Sequence, residues 1–206
     1  MSEARRGKFV TVEGVDGAGK STHLQFIADS LATNGRRVVV TREPGGTELA
    51  EQIRNTVLKE RMEPIIGTLL IFAGRADHVA RVIEPALAAG SCVVCDRFTD
   101  ATIAYQGAGE GVPRDLIDRL AQAAYRGLKP DRTLIFDVPF EVAAQRLKGS
   151  GKTLDRFERE ERAFFERVRS SYLAIAKAEA KRVRVIDASG DQAAIRKAIT
   201  RELAGL

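Results

Sequence analysis

The chain has 206 residues, 44% of them hydrophobic and 30% charged, which suits one globular domain spanning 1–206 with a full core. No apolar run reaches the ~18 residues that cross a bilayer. The charged start Met1–Lys8 has no apolar segment behind it, so a cytoplasmic protein with no membrane partner is expected. Lysine and arginine number 33 against 28 aspartates and glutamates. The arginines are scattered among motifs rather than bunched, which favours small polyanionic ligands over nucleic acid.

Residues 8–13 alternate as a short strand, and residues 20–33 carry apolar side chains at helical spacing. Between them lies Gly14-Val15-Asp16-Gly17-Ala18-Gly19-Lys20-Ser21, the G-x-x-x-x-G-K-S spacing of a phosphate-binding P-loop. Its glycines let backbone N–H groups turn toward phosphate oxygens. The helix that follows adds the positive end of its dipole. Lys20 then reaches the β- and γ-phosphates, and the Ser21 hydroxyl can ligate Mg²⁺. Asp16 would repel phosphate if it pointed inward. It is expected to turn to a sugar hydroxyl, to an arginine of a second site, or back onto the loop as an Asx turn.

Further strands are predicted over 37–42, 91–96, 132–137 and 182–187. Helices are predicted over 47–58, 64–89 (as one helix or two), 113–126, 139–148, 158–180 and 191–204. The alternation implies an α/β fold, a five-stranded parallel sheet with helices on both faces. Ligands in such sheets bind beyond the carboxyl ends of the strands. Asp16, Arg42-Glu43-Pro44-Gly45-Gly46 and Asp96-Arg97 all fall there. Cys92 and Cys95 lie three apart on a strand, hence on opposite faces. They read as packing cysteines rather than a redox or metal pair.

Transfer between two nucleotides brings two anions together, so cations beyond Lys20 are needed. Arg42, Arg54 and Arg97 stand near strand ends. Asp96 is placed to hold a magnesium-bound water. Phe72 and Arg75 share a helix, where a ring and a guanidinium can stack on a base and bond its edge. The segment 146–157 is Gly-rich and carries Arg146, Lys148, Lys152 and Arg156. That composition suits a short lid closing over phosphates, or a merely exposed loop.

In this order the motifs resemble the thymidylate kinase family, P-loop nucleoside monophosphate kinases that phosphorylate dTMP with ATP. The matching pieces are Val12 to Thr22, Thr41 to Thr47, Cys95-Asp96-Arg97-Phe98, Ala104-Tyr105-Gln106-Gly107, Lys129-Pro130-Asp131 and Leu154 to Glu158. The resemblance implies that Gly14, Val15, Asp16, Gly17, Ala18, Gly19, Lys20, Ser21 and Thr22 bind ATP, with Mg²⁺ as cofactor. It implies that Asp16 contacts the 3′-hydroxyl of dTMP and pairs with Arg97, and that Arg54 and Arg97 hold the dTMP phosphate. Glu43 and Pro44 would shape that pocket, Arg75 would read thymine, and Tyr105 and Gln106 would line the nucleoside. Arg146, Lys148, Lys152 and Arg156 would act as lid catalysts, and a homodimer is implied.

Two positions depart from the family pattern. Its base-stacking phenylalanine commonly stands four residues before the arginine. Here Phe72 stands three before Arg75, with Ile71 in the four-back place. A serine of many members is replaced in Ala101-Thr102, where Thr102 can supply the polar contact. A GTP-binding switch protein would carry an N-K-x-D motif, which this sequence lacks. A kinase for another deoxynucleoside monophosphate stays open.

Overall fold

The computed structural model describes residues 6–32, 35–148 and 158–206, the last stretch with side chains from 162 onward. Five parallel strands form one sheet: β1 (Phe9–Glu13), β2 (Val38–Arg42), β3 (Cys92–Asp96), β4 (Arg132–Asp137) and β5 (Val183–Asp187). Their spatial order is β2-β3-β1-β4-β5. Each predicted strand forms, shifted by at most one residue. The register sets Asp96 of β3 between Val12 of β1 and Arg42 of β2. Three loops with distant sequence addresses therefore open at one edge of the sheet.

The helices are α1 (Lys20–Leu31), α2 (Glu48–Lys59), α3 (Pro64–His78), α4 (Glu84–Ala88), α5 (Thr99–Thr102), α6 (Arg114–Tyr125), α7 (Phe140–Lys148), α8 (Glu158–Ala178) and α9 (Gln192–Leu203). Local chemistry fixes several starts. The Thr47 hydroxyl caps α2 by accepting from Ala50 N, with Glu48 and Glu51 in the first turn. Asp191 caps α9 by accepting from Ala194 N. Pro64 opens α3, where its missing N–H costs nothing.

Period-two alternation splits the core. Val10, Val12, Cys92 and Val94 pack with Ile27 and Leu31 of α1 and Ile195 and Ile199 of α9. Phe9, Val93 and Cys95 pack with Phe72 of α3, Ile83, Leu87 of α4, and Ile117 and Tyr125 of α6. The two cysteines thus point to opposite faces, both fully buried and both free. Burying each large apolar side chain contributes about 1.5–3 kcal/mol.

Two helical details differ from the sequence expectation. The helical run from residue 64 to 88 is continuous, but Val79–Ile83 is wound as a π-helix. Pro85 follows two residues later and has no N–H to donate to a carbonyl one turn back. A helical stretch with no predicted counterpart runs from α5 through a π-helical segment, Ile103–Gly109. Among the described residues, no helix is long and apolar enough to cross a membrane.

Candidate active site

The P-loop joins β1 to α1. Gly14 and Gly17 have φ of +134° and +80°. A Cβ at Gly14 would meet Phe136 O at 2.5 Å, and one at Gly17 would meet Ala143 O at 2.6 Å. Only glycine fits either place. Val15 and Ala18 are buried beneath the loop, while Ser21 and Thr22 are exposed in the first turn of α1. Lys20 is 8% exposed, and its ammonium donates to Gly14 O at 3.0 Å and Val15 O at 3.1 Å. Burial, and then the nearby Arg97 charge, lower its pKa to about 8.

Asp16 is exposed in the loop, and its carboxylate turns away to accept from Arg97 Nη2 at 2.7 Å. The same Nη2 donates to Tyr105 Oη at 3.0 Å, and the guanidinium lies 4.5 Å from the Tyr105 ring centre. Arg97 itself holds φ +71°, a left-handed backbone rare for a side-chain-bearing residue. The turn after β3 is thus bent to aim one guanidinium at the P-loop. Such local strain clusters at ligand sites.

Beneath this pair lies Glu13, fully buried. Its carboxyl accepts from Phe98 N at 2.7 Å and Tyr172 Oη at 2.9 Å. Desolvation, then repulsion from Asp100, raise its pKa to about 8.

Across from the loop lies a cluster of buried charge. Glu43, 4% exposed, receives Arg75 Nε at 2.5 Å on one oxygen and His78 Nδ1 at 2.9 Å on the other. Arg75 Nη2 donates to Phe98 O at 3.2 Å and Thr102 Oγ1 at 3.0 Å. The Phe72 and Phe98 ring centres lie 5.0 and 5.2 Å from this guanidinium. Phe72 also stacks on Tyr125 at 6.2 Å, so its ring is committed to the core. Arg54 Nη1 donates to Pro44 O at 2.9 Å and braces the loop after β2. Gln106 is half-buried on the π-helical segment, beside Glu110. Arg42 is spent on Glu51, at 2.9 and 3.0 Å.

Of the predicted lid cations, Arg146 and Lys148 end α7 and are exposed. Arg146 Nη2 donates to Ala188 O at 2.9 Å, and Nη1 leans on Gly17 O and Ala18 O at 3.5 and 3.4 Å. Lys152 and Arg156 lie outside the described residues. Sequence reasoning passed over Glu13, Tyr172 and His78. His78 follows Arg75 by three on one helix, and that spacing was its one sequence signal.

Among the described residues, four buried side-chain polar atoms lack a partner, and two of them are Arg75 Nη1 and Asp96 Oδ1. Such orphans call for a partner such as a water, an ion or a ligand. Asp96 Oδ1 and the exposed Ser21 hydroxyl are both hard oxygen donors of the kind Mg²⁺ takes. Glu43, His78 and Cys95 also bring ligand atoms within 4.8 Å of one another. Their atoms are already engaged, Cys95 Sγ with Arg97 O at 3.0 Å. A cation there would have to displace Arg75.

A phosphate-binding loop tied by an ion pair to Arg97, beside the buried Arg75–Glu43 pair, is the arrangement of a P-loop phosphotransferase. The family model for thymidylate kinase matches residues 12–199. A thymidylate kinase of Bordetella petrii is 54% identical, covering 98% of this chain and 97% of its own. One from Cupriavidus metallidurans is 51% identical over 98% and 100%. The crystal structure of thymidylate kinase from Ehrlichia chaffeensis superposes with a TM-score of 0.74 at 35% identity, over 89% of this chain and 94% of that one. The chain belongs to the thymidylate kinase family.

Proposed function

We infer that the chain transfers the γ-phosphoryl group of ATP to dTMP, giving ADP and dTDP, as a single kinase domain. Family membership supports the substrate pair. The observation that carries the residue assignment is the Arg97–Asp16 ion pair, which joins the ATP-phosphate loop to the acceptor pocket.

In this reading the backbone of Gly14 to Ser21, with Thr22, binds the ATP phosphates, and Lys20 leaves its carbonyl partners to meet the transferring group. Ser21, and Asp96 through water, would hold Mg²⁺, which supplies charge neutralisation across the β- and γ-phosphates. Arg97 and Arg54 hold the dTMP phosphate, and Asp16 accepts from the 3′-hydroxyl. Tyr105 and Gln106 line the nucleoside, with Glu43 and Pro44 behind the phosphate. Arg146, Lys148, Lys152 and Arg156 bring positive charge to the donor side.

Arg75 offers a free Nη1–H and has no acceptor atom. It suits the O4 carbonyl of thymine and not the amino group that cytosine carries there. Thr102 fixes Nη2 of the same guanidinium. Phe72 serves dTMP through Arg75, as one of the two rings flanking it.

The exposed apolar side chains Leu58, Ile65, Ile66 and Leu69 on α2 and α3 support a homodimer. A cytoplasmic location fits this chemistry. The test is an acceptor screen, in which ADP release from ATP is followed with each deoxynucleoside monophosphate. dTMP should give the highest kcat/KM and dCMP should be far poorer. ATP turnover that is indifferent to the acceptor would overturn the reading.

A further inference from the structure

We propose that His78 is a positioning residue for acceptor choice, acting through Glu43 on Arg75, with Thr41 anchoring its far side. This rests on the reading of Arg75 as the base-edge donor.

The hydrogen bonds form one chain across three elements. Thr41 Oγ1, at the end of β2, meets His78 Nε2 at 2.8 Å. His78 Nδ1 meets Glu43 Oε1 at 2.9 Å, and Glu43 Oε2 meets Arg75 Nε at 2.5 Å. Glu43 pairs with the Arg75 guanidinium and accepts on both oxygens, so Nδ1 donates to it and Nε2 is left to pair with the Thr41 hydroxyl. Both carboxylate oxygens are then used, and the Glu43 carboxyl plane is fixed at two points. His78 is fully buried, and the side chains of Glu43 and Arg75 are 3% and 2% exposed.

Buried charge of this kind is expensive unless its geometry is held. Arg75 is held at Nε by Glu43, at Nη2 by Phe98 O and Thr102, and on its faces by two rings. Nη1 is buried and is the one guanidinium nitrogen without a hydrogen-bond partner, with Tyr125 nearby. Without His78, one Glu43 oxygen loses its donor and the carboxylate can rotate, carrying Nε and the direction of Nη1 with it.

The loop after β2 closes this unit from outside. A Cβ at Gly46 would stand 2.4 Å from His78 Nε2 and 2.7 Å from Thr41 Oγ1. The backbone there lies directly on the imidazole. The loop that braces the acceptor side is therefore packed on the same histidine that orients the base-reading arginine.

The experiment is a double-mutant cycle between His78→Leu and Arg75→Gln, with kcat and KM measured for dTMP, dCMP and ATP. His78→Leu should raise KM for dTMP about 10-fold and lower the dTMP-over-dCMP preference, the loss of one charge-assisted bond. KM for ATP should stay within about 2-fold. The double variant should match Arg75→Gln alone, because His78 acts only through Arg75. His78→Asn, with an amide N–H near the Nδ1 position, should recover most of the preference.

Losses that add in full, or a His78→Leu enzyme with unchanged preference, would overturn the relay while leaving Arg75 as the reader. An Arg75→Gln enzyme with unchanged dTMP kinetics would sink both. Thr41→Val, at the accessible end of the chain, carries the same cycle should His78→Leu fail to fold.

Discussion

The two halves of the site are made of different material. On the proposed reading the donor half is backbone: a loop of eight consecutive residues whose N–H groups and glycine torsions would hold the phosphates. The acceptor half is buried side-chain charge gathered from four places, the end of β2, the last turns of α3, the turn after β3 and the π-helical segment beyond it. A backbone cradle tolerates any phosphate. Side chains locked at both ends would, on that reading, choose a particular base and sugar. The proposed function thus separates general affinity from specific recognition in space, with the Arg97–Asp16 pair between them.

The largest effect tests the donor half. Lys20→Ala should lower kcat by ~10²–10³ with the fold retained, as loss of one preorganised cation does. Circular dichroism and steady-state assay check both parts. Near-normal turnover would mean that the loop works through its backbone alone.

Arg146 sharpens the boundary of that half. Its guanidinium rests on P-loop carbonyls and on Ala188 O. Arg146→Ala should cost of order 10-fold in kcat, less than Lys20 because the side chain is exposed and screened. KM for dTMP should not move. A rise confined to KM for dTMP would assign Arg146 to the acceptor half instead.

The smallest effect contrasts two buried glutamates. Glu43 faces a permanent cation, whereas Glu13 bonds to the neutral Phe98 N–H and Tyr172 hydroxyl. The folded Glu13 pKa is raised from 4.5 to about 8. Its stabilising contribution is full below the unfolded value and is lost as pH climbs toward 8. Lys20, lowered from 10.5 to about 8, acts only above that window, where its contribution rises with pH. Glu13→Gln keeps one acceptor and one donor in place. The fall in Tm between pH 5 and 8 should be a few degrees smaller in the variant than in the parent chain. Parallel Tm profiles would place the titration elsewhere.

The sequence made the two halves unequally legible. The P-loop is contiguous, so its spacing alone specifies its shape. The five strands are short β-branched runs between helices, and each was found to within a residue. The segment 99–109 was not, because its helix is a single turn continued as a π-helix and carries Gly107 and Gly109. No 3.6-residue period survives in such a stretch. Phe72 and Arg75 were paired correctly on one helix. That the ring supports the guanidinium and packs on Tyr125 depends on α6, which lies more than forty residues away. His78 and Tyr172 gained meaning only once Glu43 and Glu13 were seen to need partners.

Asp16 tests the division most directly, since it sits in the donor loop while its side chain bonds the acceptor side. The measurement is Asp16→Asn, with ATP binding followed by titration calorimetry and turnover followed with dTMP and with its 3′-deoxy analogue. The carboxylate is 72% exposed, so the pair is partly screened. The account predicts about a 10-fold loss of kcat/KM for dTMP, a smaller loss for the analogue, and ATP affinity unchanged or slightly tighter. Equal losses for both acceptors, or weakened ATP binding, would show that Asp16 only shapes the P-loop.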